Sequence, residues 1–168
     1  HPALKTAILF SPITPQETLY DALEQRYNLR LFTIAETQKY PHVTYFFNGG
    51  KEVRRNNEKR VLIPSQPVPN FAERPEMSAE AITQEVIKSL HAHEADFYLI
   101  NYANADMVGH SGDFNATVEA IKTLDRQIGE LMKARKADEF EMIITSDHGN
   151  AEQMWDATTD QPCTAHTC

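Results

Sequence analysis

Short apolar runs rich in β-branched residues alternate along this chain with segments whose apolar positions recur every three to four residues. The first pattern is that of buried strands and the second that of amphipathic helices, so their alternation predicts an α/β fold with a mostly parallel sheet flanked by helices. Residues 6–10 read as a strand. Thr14, Pro15 and Glu17 then supply a helix start, with the helix running to about residue 26. Strands follow at 28–34 and 60–63, the latter stopped by prolines at 64, 67 and 69. Between them, residues 43–50 fit either a strand or a buried helix ending at Asn48-Gly49-Gly50, and the polar run KEVRRNNEKR reads as a solvated loop. Ser78 caps a helix with its apolar face at Ile82, Val86, Ile87 and Leu90, which delivers the chain into a strand at 97–102. The longest stripe joins Phe114, Val118, Ile121, Leu124, Ile128, Leu131 and Met132, and a last strand is expected at 140–145.

In parallel sheets reactive groups gather beyond the carboxyl ends of the strands, and two polar motifs fall there. NADMVGH follows the strand at 97–102 and places Asp106 four residues before His110. SDHGN follows the strand at 140–145 with Asp147 and His148, and the final TAHT adds His166. Three segments thus bring carboxylates and imidazoles toward one edge, a donor set suited to manganese, zinc or iron. Gly109, Gly112 and Gly149 are expected to allow the tight bends that aim these side chains inward.

Composition narrows the setting. A formal charge of -8 and a pI near 5.3 oppose a nucleic-acid backbone. The two cysteines, Cys163 and Cys168, form neither a disulfide framework nor a redox pair, and no apolar run reaches the length of a membrane span, so a cytoplasmic protein is expected. The chain starts without Met and stops abruptly, as a piece of something longer would.

The words IAETQKYPHVTYFFNGG, KRVLIPS, RPEMSAEAIT, NYANADMVGHSG, TSDHGNAEQM and TAHT stand in order along nearly the whole chain. Together they resemble the C-terminal half of cofactor-independent phosphoglycerate mutase, a family of the alkaline phosphatase superfamily. The resemblance implies an isomerase of glycolysis that interconverts 3-phosphoglycerate and 2-phosphoglycerate through a phosphoserine at a two-manganese site, with no need for 2,3-bisphosphoglycerate. It implies that Asp106, His110 and His166 complete one manganese site, that Asp147 and His148 contribute to the other, and that Lys39 of ETQKY contacts the substrate phosphate. No stretch resembles the family's serine nucleophile, its early aspartate ligand or its arginine-rich inserted domain. Residues 1–168 are therefore expected to be an incomplete, truncated portion of the phosphatase domain, with no catalytic nucleophile and no activity alone. The parent is expected to be a monomer and the fragment to self-associate. The shared metal framework leaves open a metal-dependent phosphatase, a phosphopentomutase, or a non-catalytic metal-binding or interaction fragment.

Overall fold

The computed structural model describes residues 15–135 and 140–167, so the strand expected at 6–10 and the cap expected at Thr14 lie outside the described residues. Three parallel strands form the sheet in the order β2-β1-β3: β1 Leu31–Glu36, β2 Glu58–Ile63 and β3 Phe97–Asn101. Leu31 stands opposite both Glu58 and Phe97, so the strands start level and their carboxyl ends share one edge. All six residues of β1 are buried, as a central parallel strand covered on both faces requires.

Helix α1, Leu19–Tyr27, begins at Thr18 rather than near Thr14. Thr18 and Asp21 form a reciprocal capping box, and Asn28 closes the helix in the left-handed region. The ambiguous segment after β1 resolves as α2, Tyr40–Val43, followed by turns through Gly49. The polar run before β2 is not wholly solvated. Arg55 is 7% exposed, donating to Asn48 and pairing with Asp21 and Glu24 of α1. These partners change what a basic residue in a charge run does: here it ties α1 to the turn after α2.

Helix α3, Ala79–His91, crosses from β2 to β3 and buries Ile82 and Val86 against Phe32 and Ile34, with Ile87 and Leu90 packed alongside. Burial of such side chains contributes about 1.5–3 kcal/mol each. Ser78 stands at the N-cap, but its hydroxyl donates to the Pro64 carbonyl instead of capping the helix. Helix α4, Asn104–Gly109, and helix α5, Phe114–Ala134, complete the helical layer, with Asp113 capping α5 through the Ala116 N–H.

Two expectations fail here. Helix α5 buries Thr117, Ala120, Thr123 and Leu131, while Phe114, Ile121 and Met132 stay exposed. Its small residues let α3 and α4 approach closely, which turns the apolar stripe sideways. Residues 140–145 carry no regular secondary structure, so the strand expected there is absent among the described residues. Phe140 reaches the body through an edge contact with Tyr98, and Met142 packs on the core, whereas Ile143 is 90% exposed. Side-chain anchoring without ladder hydrogen bonds gives an irregular tether, not a strand. A two-stranded antiparallel ribbon, β4 Trp155–Asp156 and β5 Gln161–Pro162, follows it. No helix among the described residues is long and apolar enough to cross a membrane.

Glu36 ends β1 fully buried, accepting from Ser65 Oγ at 2.8 Å and from the Ser78 N–H at 3.3 Å. Burial outweighs these two bonds and pushes its carboxyl above the usual range. Folding therefore favours the protonated form. The stabilisation is full below the carboxyl's unfolded value and is lost as pH rises through its folded one. Glu36→Gln removes that loss, so its unfolding midpoint relative to the parent should climb between acidic and neutral pH. A pH-independent difference in thermal melts would contradict this.

Candidate metal centre

Chain direction after β3 explains the placement of the first two groups. Asp106 lies in the first turn of α4 and His110 caps its end, so the four-residue spacing stacks them on one helix face. The His110 Nε2 stands 3.1 Å from Asp106 Oδ1. Its Nδ1 lies 2.6 Å from the Thr164 carbonyl, which can only accept, so Nδ1 carries the proton and donates. Neutral His110 is thereby held in the tautomer whose Nε2 lone pair faces Asp106, an orientation that metal-ligating histidines adopt.

His166 arrives from the far end of the chain. Its Nε2 is 2.9 Å from Asp106 Oδ1 and 3.1 Å from His110 Nε2. Neighbouring ligands on an octahedral metal with bonds of about 2.1 Å stand about 3 Å apart. The triangle Asp106, His110, His166 therefore has the spacing and the donor types of a divalent-metal site.

His148 and Asp147 close the other side. The His148 ring stacks on His166 with centroids 3.7 Å apart, and ligating atoms of Asp106, His148 and His166 lie within 4.8 Å of one another. The His148 Nε2 is 3.6 Å from Asp147 Oδ1. His148 thus touches both the triangle and Asp147, where the sequence placed it with Asp147 alone.

Lys39, three residues beyond β1, enters between the two halves. It is 2% exposed, with Nζ 2.8 Å from Asp106 Oδ2, 3.7 Å from Asp147 Oδ2 and 3.4 Å from His148 Nε2. Burial alone would raise the Asp106 carboxyl. Hydrogen bonds from Lys39 and Asn150, with the charge of Lys39, outweigh it and hold the group at about 2. Asp147 is held low against its own burial by Lys39 and His148. Lys39, Asp106, Asp147 and His148 line an open cavity of about 900 Å³, with His42 beside them.

All six residues singled out by sequence thus meet at one edge. The glycines act differently from one another. Gly112 adopts φ 72 and makes the expected bend, whereas a Cβ on Gly149 would strike Thr167 and Glu152, so that glycine provides room. Sequence reasoning missed Asn150, which is 4% exposed and donates to Asp106 Oδ1 at 2.9 Å. Its one signal was its place at the end of SDHGN.

The sequence profile of the Metalloenzyme superfamily matches residues 8–168. The chain is 48% identical over 160 residues to a 2,3-bisphosphoglycerate-independent phosphoglycerate mutase of Nitrosococcus oceani, covering 95% of this chain and 31% of that protein. A protein of the same name from Myxococcus xanthus is 47% identical, covering 97% of this chain and 32% of its own length. A crystal structure of Leishmania mexicana phosphoglycerate mutase at low cobalt concentration superposes with a TM-score of 0.78 at 34% identity, over 86% of this chain and 28% of that one. The chain spans about a third of the length of the curated relatives it matches.

The hold of Lys39 on Asp106 is directly measurable. In the chelator-treated chain, Lys39→Met should raise the Asp106 carboxyl midpoint from about 2 toward the ordinary carboxylate range, followed by carbon-detected NMR titration. A midpoint left at about 2 would assign the hold to Asn150 instead.

Proposed function

The chain belongs to the Metalloenzyme superfamily, and from that membership we propose that it forms the metal-bearing part of a phosphoglycerate mutase moving phosphate between the 3- and 2-positions of glycerate. The observation that carries this reading is the Asp106, His110, His166 triangle with a buried lysine against it. Asp106, His110 and His166 would hold one manganese ion, and Asp147 and His148 would contribute to a second. When bound, manganese supplies a Lewis acid that lowers the pKa of a coordinated alcohol and neutralises charge on phosphoryl oxygens.

The chain's own residues do the rest of the positioning. His110 is kept in its ligating tautomer by the Thr164 carbonyl. Lys39 faces the cavity, and once the Asp106 carboxylate is committed to a cation its ammonium is left to donate to a phosphate. Phe46, Phe47 and Leu99 give the same cavity apolar lining. In this reading residues 1–168 are the C-terminal portion of the phosphatase domain, and the serine that carries the phosphoryl group and the inserted domain belong to other parts of a longer parent. The parent works in the cytoplasm as a monomer, with no 2,3-bisphosphoglycerate, and these 168 residues alone do not turn over phosphoglycerate. The β3 edge, unpaired among the described residues, and the exposed Ile143 and Ile144 would promote self-association of the piece by itself.

Manganese titration followed by electron paramagnetic resonance tests the site: the chain should bind saturably, and Asp106→Ala or His166→Ala should abolish that binding. Persistence in both variants would refute the ligand assignment. Activity is tested by joining this chain to the preceding part of the Nitrosococcus oceani mutase and coupling turnover of 3-phosphoglycerate to enolase. Manganese-dependent turnover is expected of the hybrid and none of the 168 residues alone.

A further inference from the structure

We propose that Asn150 is a positioning residue for the metal centre, locking the Asp106 carboxylate in its ligating orientation, with Gly109 providing the space that makes the lock fit. This inference rests on the metal-site reading above.

Asn150 faces two acceptors. Its side-chain amide donates to Asp106 Oδ1 at 2.9 Å and to the Asp106 backbone carbonyl at 3.3 Å. Both partners accept only, so the amide nitrogen must point at Asp106 and the carbonyl oxygen away. That oxygen, Oδ1, is buried without a hydrogen-bond partner. It lies where a Cβ on Gly109 would stand, three residues after Asp106 in α4. A buried acceptor left unpaired is costly, so the arrangement is maintained against a local penalty.

The backbone of Asn150 is held from the other side. Its N–H donates to Glu152 Oε2 at 2.6 Å, the other oxygen of Glu152 accepts from the Thr167 hydroxyl, and the Thr167 N–H donates to the Gly149 carbonyl at 3.0 Å. The segment that carries Asp147 and His148 is thus fastened to the segment that carries His166, and Asn150 fastens both to Asp106. Asp106 Oδ1 is also the oxygen nearest His110 and His166. A carboxylate oxygen has lone-pair capacity for an amide and a cation together, so the Asn150 bond fixes the carboxylate plane without blocking the ligand position. Partners of this kind typically change metal affinity 10–100-fold when removed.

The test is manganese affinity by electron paramagnetic resonance, with the unfolding midpoint of the metal-free chain measured beside it. Asn150→Leu keeps the branched shape of the side chain and deletes the donor, and should bind manganese about 10–100-fold more weakly in a chain whose metal-free melt remains cooperative. Gly109→Ala keeps the Asn150 amide but displaces it and should weaken binding in the same direction. In an Asn150→Ala background, where nothing remains to collide with, Gly109→Ala should cost nothing further. If Asn150→Leu does not fold, Gly109→Ala and its pairing with Asn150→Ala decide. Parental affinity in a folded Asn150→Leu chain, or equal penalties for Gly109→Ala in both backgrounds, would overturn the proposal while leaving the metal site standing. Failure of the unsubstituted chain to bind manganese would instead overturn the metal-site reading, and this proposal with it.

Discussion

The arrangement turns on one buried ion pair, the Lys39 ammonium against the Asp106 carboxylate at 2.8 Å. A lysine so little exposed is tolerated only beside compensating charge, and a carboxylate so placed only beside donors. Each is brought there by a different parallel strand, Lys39 beyond β1 and Asp106 beyond β3, and those strands pair in register. The sheet therefore fixes the pair, and the pair in turn draws Asp147 and His148 inward. Such a pair is weak support for stability and marks this sheet edge as a candidate functional site.

Much of this was legible from the sequence, for physical reasons. The apolar runs predicted β1, β2 and β3 because β1 is buried throughout and β2 and β3 pack partly against the same core, and the Asp106 to His110 spacing was informative because four residues return to one helix face. The kinship of the chain with phosphoglycerate mutases was equally readable from its ordered motifs. What escaped were features set by tertiary approach. Arg55 looked solvated because nothing in KEVRRNNEKR encodes the acidic residues of α1 that bury it. The α5 stripe looked like a core face, yet the packing of α3 and α4 selects the small residues Thr117 and Ala120. Residues 140–145 have the composition of a strand, but composition does not supply a neighbour. Asn150 was invisible as a working residue because its importance lies in what it faces, not in its type.

The way residues 147–167 are attached gives the centre two unequal halves. Lys39 and Asp106 are mounted beyond β1 and in α4, next to the three-stranded parallel sheet. His148 and His166 are held by one backbone bridge, a four-residue ribbon and a few side-chain hydrogen bonds. Segments of that kind open locally at much lower free energy than the sheet, and amide hydrogen exchange separates the two classes. The 147–167 arm would on that ground behave as a small cooperative unit, detaching and redocking while the sheet stays closed. Entry and escape of a cation would then be governed by the opening rate of the arm, and not by the global stability of the fold.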